Sequence, residues 1–69
     1  MKLSARNVLA GKVLEVKTGA TTAHVRLELA GGAVITASIT NEAVEQLGLK
    51  PGEQAYAVVK ASDVMIGKD

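Results

Sequence analysis

Between Ala23 and Leu29 the chain alternates strictly, with Ala23, Val25, Leu27 and Leu29 on one side and His24, Arg26 and Glu28 on the other. That period of two is the mark of a half-buried β-strand. Ala30–Gly32 follows as "AGG", which supplies the tolerance of positive φ that a tight hairpin needs. Alternation then resumes, with Ala33, Ile35, Ala37 and Ile39 set against Val34, Thr36 and Ser38. Upstream, "GKVLEVKTG" reads as a further strand, with Leu14 and Val16 opposed to Val13, Glu15 and Lys17, and closed by Gly19. Around residue 41 the period changes. Thr40 or Asn41 can cap a helix through "NEAVEQLG": Glu42 suits the first turn, Val44 and Leu47 stand three apart, and Gly48 lies just past the end. Pro51-Gly52 turns the chain, "QAYAVVK" returns to strand character, and "DVMIG" from Asp63 predicts a short fifth strand after a turn at Lys60–Ser62.

The order strand, strand, strand, helix, strand, short strand predicts an all-β domain with one short helix. Its expected architecture is a five-stranded barrel of the oligonucleotide/oligosaccharide-binding type, the OB-fold, with the helix plugging one end. An SH3-like barrel is the rival, and the helix between the third and fourth strands argues against it. Neither an internal repeat nor a linker interrupts the chain, so residues 1–69 read as one domain.

Composition narrows what such a barrel can do. A chain of 69 residues has a thin core, and its 48% of hydrophobic residues are mostly Val, Leu and Ala, with Tyr56 the sole aromatic. Scaffolds this small usually draw on disulfides, a metal or self-association. Cysteine is absent, His24 is the only histidine and the acids are scattered, so self-association is the expected route. Eight basic residues against seven acidic ones leave a net charge of +1, too little to draw nucleic acid or a membrane surface over long range. No apolar stretch is long enough for a signal peptide or a membrane span, and the lack of cysteine agrees with a reducing compartment; a cytoplasmic location is the expectation.

Catalysis finds little support. His24 lies on the polar side of its strand among Arg26 and Glu28, where solvation explains it, and no nucleophile–base, paired-carboxylate or metal-ligand spacing is visible. "AGG" and "PG" are hairpin punctuation and do not open a helix as phosphate-binding loops do. Oligonucleotide binding on this barrel relies on aromatic platforms and a basic groove, both of which are missing, although an oligonucleotide-binding or scaffold module remains the alternative. What is left is a set of donors at the two ends of the chain: Ser4, Arg6, Asn7, Lys60 and Ser62, with the small residues Ala5 and Ala61 leaving their N–H groups approachable. Such a set can line a site for a tetrahedral dianion. It can equally be a solvated arginine, a strand-end lysine and turn-forming serines.

The phrases "SARN" at Ser4–Asn7 with "GKV" at Gly11, and "AVVKASDVM" at Ala57–Met65, resemble the two signature phrases of the molbindins, the molybdenum-pterin-binding (Mop) proteins of the TOBE/Mop domain family. "ELAGG" and "ITNEAVEQLGLKPG" are similar too, so the resemblance runs from about Lys2 to Gly67. It implies a homo-hexamer, a trimer of dimers, that holds molybdate or tungstate between subunits and serves as a cytoplasmic store or buffer of molybdenum. Carried onto this sequence, it places Ser4, Ala5, Arg6 and Asn7 of one subunit on the oxyanion, with Lys60, Ala61 and Ser62 of a neighbour completing the shell and no protein atom coordinating the metal directly. A second class of oxyanion site in the family points to Thr21 and Thr22 in "GATTA", which also suits an ordinary turn. Val8 departs from the polar residue expected after "SARN" and is expected to be covered by a subunit contact.

Overall fold

The computed structural model describes residues 1–69. Strands β1 (Asn7–Thr18), β2 (Thr22–Leu29) and β3 (Val34–Thr40) are followed by helix α1 (Asn41–Leu47), strand β4 (Gln54–Val59) and a 3₁₀ turn at Ala61–Asp63. The four strands form one antiparallel sheet in the order β3-β2-β1-β4. The all-β class with one short helix is therefore present, and the sheet has four strands. The segment expected to form a fifth strand from Asp63 instead ends the 3₁₀ turn and continues without a ladder partner, with Met65 and Ile66 more than nine-tenths exposed.

Helix α1 forms where the sequence allows its ends to be satisfied. Thr40, in extended conformation, accepts a hydrogen bond on its side-chain oxygen from the Ala43 N–H at 3.0 Å, so Thr40 rather than Asn41 is the cap. Gly48 closes the other end in the left-handed region at φ 62°, returning its N–H to the last turn. Asn41 is left to tie the helix to the sheet. Its backbone N–H donates to the Thr21 carbonyl and its side-chain amide to the Gly19 carbonyl, both at 3.0 Å.

The core is small. Val13, Ala23, Val25 and Leu27 from β1 and β2 meet Val44 from α1, and these five are the only buried residues. The alternation read in β2 holds, whereas that read in β1 is corrected by a β-bulge between Val13 and Glu15. The extra residue lets both Val13 and Val16 face inward and turns Leu14 out, where strict alternation had put Leu14 and Val16 together. Leu47 likewise does not join Val44 and remains 68% exposed. Just before the bulge, Gly11 lets β1 lie close against β2, since a β-carbon there would lie 2.7 Å from the Glu28 carbonyl oxygen.

Candidate functional site

Residues from both ends of the chain are brought together by the pairing of β1 with β4. Asn7 stands opposite Val59, followed by Val8 opposite Val58 and Leu9 opposite Ala57. "SARN" therefore leaves the ladder at the same end at which "KAS" begins. Asn7 holds this end shut, its side-chain amide donating to the Val59 carbonyl at 3.2 Å across 52 positions of sequence. Beyond it, Ser4, Ala5 and Arg6 precede β1, while Lys60, Ala61 and Ser62 enter the 3₁₀ turn that follows β4. The N–H groups of Asp63 and Val64 are used inside that turn, on the carbonyls of Lys60 and Ala61.

Electrostatically this end of the sheet is cationic and uncompensated. Arg6 and Lys60 are both exposed, and the chain's four side-chain hydrogen bonds involve neither of them. Asp63 is the one acid of the two phrases. A guanidinium, an ammonium and two hydroxyls next to small residues can grip an anion at several oxygens, the guanidinium at two of them at once. Each of the seven residues singled out at the two termini thus lies at one end of the ladder. Asn7 differs from the rest in already spending one donor on β4.

Thr22 falls in a different place. Together with Lys17, Thr18, Gly19 and His24 it lines an open groove of about 310 Å³ at the other end of β1 and β2. The loop beneath is fixed by Gly19 N–H donating to the Thr22 carbonyl at 2.7 Å and by the two bonds from Asn41. Thr21 sits at the tip of this turn and does not line the groove. Lys17 and His24 are directly opposed in the ladder, which sequence reasoning missed. The register of a hairpin closing over residues 19–21 would have shown it. No three of the His, Asp and Glu side chains are grouped so as to hold a metal ion, and no helix is long and apolar enough to cross a membrane.

Comparison with known proteins gives the geometry a context. The TOBE domain model matches residues 3–66. Molybdenum-pterin-binding protein 2 of Clostridium pasteurianum is 54% identical over 66 residues, covering 96% of this chain and 97% of its own. The probable molybdenum-pterin-binding protein of Haemophilus influenzae is 43% identical over 67 residues, covering 97% of each. Among solved structures, MopII from Clostridium pasteurianum superposes with a TM-score of 0.91 at 52% identity, covering 97% of this chain and all of that one. The cytoplasmic molybdate-binding protein ModG, solved with molybdate bound, gives a TM-score of 0.91 at 55% identity over 94% of this chain and 46% of ModG.

Proposed function

This chain belongs to the TOBE domain family, among its molybdenum-pterin-binding members, and on that premise we propose that it is a molybdate-binding protein whose anion lies between copies of the chain. Ser4, Ala5, Arg6 and Asn7 of one copy contact the oxyanion, and Lys60, Ala61 and Ser62 of a neighbour complete its shell. The observation that carries this reading is the Asn7–Val59 register, which collects two exposed cations and their flanking small and hydroxyl residues at one end of one ladder. One copy offers an open half-shell, and a second copy closes it and removes it from water.

Arg6 and Lys60 neutralise the dianion while hydroxyls and main-chain N–H groups orient it. Because nearly all of these groups are donors, the site favours an anion that is fully deprotonated near neutral pH and has nothing to accept the proton of hydrogen phosphate. Sulfate has the same charge and shape but is smaller, so its exclusion rests on cavity size and a rigid frame. Tungstate, nearly identical in size and charge to molybdate, is bound as well. A second oxyanion lies over the Gly19–Thr22 loop, with Thr21 and Thr22 as its hydroxyl donors and Lys17 and His24 beside them.

The role that fits is storage and homeostasis of molybdenum in the cytoplasm, by a binding protein and not an enzyme. Residues 1–69 act as one Mop/TOBE-type domain, assembled as a homo-hexamer, a trimer of dimers. In that assembly a fifth strand from the C-terminal segment completes an OB-type barrel across the outer edges of β3 and β4. Titration calorimetry with molybdate, with sulfate as control, tests the proposal. Saturable binding of molybdate that sulfate does not match is expected. Arg6→Ala is expected to weaken it by ~2 to 5 kcal/mol, roughly thirtyfold to several thousandfold, as for loss of one partner of a desolvated charge pair. Unchanged affinity in that variant would remove Arg6 from the site.

A further inference from the structure

The two halves of the proposed anion shell are held very differently. On the "KAS" side the backbone is pinned, with Asp63 N–H donating to the Lys60 carbonyl at 2.8 Å and Val64 N–H to the Ala61 carbonyl at 3.3 Å. On the "SARN" side it is not. Strand β1 begins at Asn7, so the ladder holds nothing before it. The backbone hydrogen bonds outside the strands and helix include none from residues 1–6, and the four side-chain bonds do not reach them. Ser4, Ala5 and Arg6 therefore hang from one fixed point. That point is reinforced by the Asn7 amide, which donates at 3.2 Å to the carbonyl of Val59, the residue just before Lys60. Asn7 is half-buried between exposed Arg6 and Val8, and this is the one side-chain bond across this end of the sheet.

We propose that Asn7 sets the selectivity of the site between molybdate and sulfate, by strapping the loose half-shell to the sheet so that Ser4–Arg6 stand at a fixed distance from the donors they converge with. The inference rests on the molybdate reading and names the residue that gives that site its gauge. The two dianions share charge and shape and differ in size, so charge alone does not tell them apart. Arg6 and Lys60 are exposed and make no hydrogen bond of their own. Such long side chains close on the smaller anion as readily as on the larger. Size is read only by donors whose separation is held to within about 0.5 Å. Asparagine suits the task because its one nitrogen carries two N–H groups and no charge. One N–H holds the Val59 carbonyl, and the second is left for the anion. Aspartate, of the same shape, would have no N–H for the carbonyl and would set a carboxylate beside a dianion. In the proposed assembly each copy gives its "SARN" to one anion and its "KAS" to another. The strap thus also keeps each half-shell in register with the frame on which the partner docks.

Competition at equilibrium dialysis tests this. Parent and variant chains are loaded with molybdate and titrated with sulfate, and the sulfate-to-molybdate ratio that displaces half of the bound molybdate is read. Asn7→Ala should be half-displaced at a ratio at least about tenfold below the parent's, the low end of what discrimination by size alone yields. Arg6→Ala removes a charge that both dianions feel equally. It should bind both more weakly and leave the ratio unchanged within error. A second readout needs no variant: in the parent, the Asn7 side-chain N–H that meets Val59 should exchange slowly with solvent by NMR, with molybdate or without it. An Asn7→Ala chain that keeps the parent's ratio, or loses both anions alike, makes Asn7 an ordinary ligand and overturns the proposal. An Asn7 amide that exchanges freely overturns it too. A parent that holds sulfate as well as molybdate would instead sink the molybdate reading itself, and this inference with it.

Discussion

The outer face of the sheet is two surfaces joined along β1. From Gln54 and Lys12 onward its rungs are mostly polar: Gln54 beside Lys12 beside Glu28, with Val34 at the end of that rung, then Glu15 beside Arg26 beside Thr36, then Lys17 beside His24 beside Ser38. Opposite charges face each other in the first two rungs, as on a face finished for water. Over β4 and the N-terminal half of β1 the rungs are apolar, Val8 beside Val58 and Ala10 beside Tyr56, with the larger side chains 42 to 54% exposed. The contrast is between a half whose rungs suit water in a single copy and a half that leaves large apolar side chains exposed, which a second copy would cover in the proposed assembly. Each half also has an end rich in donors. The Arg6–Lys60 end adjoins the apolar half, where, on the proposed reading, a partner copy excludes water from the anion, while the Lys17–His24 end lies on the polar half and is open.

Breaking the apolar half should therefore cost most. Val58→Asp places a carboxylate where a partner is to pack. It is expected to dissociate the assembly, seen as a fall in light-scattering mass, with a penalty of several kcal/mol if the charge were forced into contact. An unchanged mass would mean that this half faces water after all. Gly11→Ala strikes the join between the halves, because its methyl group would meet the Glu28 carbonyl oxygen at 2.7 Å and the Leu27 side chain at 2.9 Å. Strand β1 must then shift off β2, and urea unfolding should show a loss of ~1 to 3 kcal/mol.

How much of this was legible in the sequence follows the same division. β2 could be read by alternation because every second side chain faces the core and the rest face water, and β3 because it pairs with β2 in regular register. β1 misled at Leu14, since a bulge changes the phase without leaving a residue-type signature. The C-terminal strand misled for another reason. "DVMIG" has the composition of a strand, but pairing is a property of where it docks, and no neighbour within its own sheet receives it. The terminal donors were legible as a set from their chemistry, whereas their meeting at one end of a ladder required the Asn7–Val59 register. Lys17 and His24 were passed over because each, taken singly, reads as a solvated strand residue.

Smaller effects sharpen the polar half. Thr40→Ala removes the cap of α1 and should cost ~1 kcal/mol in thermal or urea unfolding. It should also loosen the Gly19–Thr22 loop, which Asn41 holds from the first position of the helix. Glu15→Gln lies on the finished face opposite Arg26, and its stability in urea should match the parent within ~0.5 kcal/mol. A larger loss would show that this face is an interface too.

The most direct measurement is a crystal structure of the chain grown with molybdate, phased at the molybdenum edge. The account predicts molybdenum at the shared termini of two copies, within hydrogen-bond reach of Arg6 from one and Lys60 from the other. Molybdenum held by a single isolated copy, or lodged far from both termini, would contradict it.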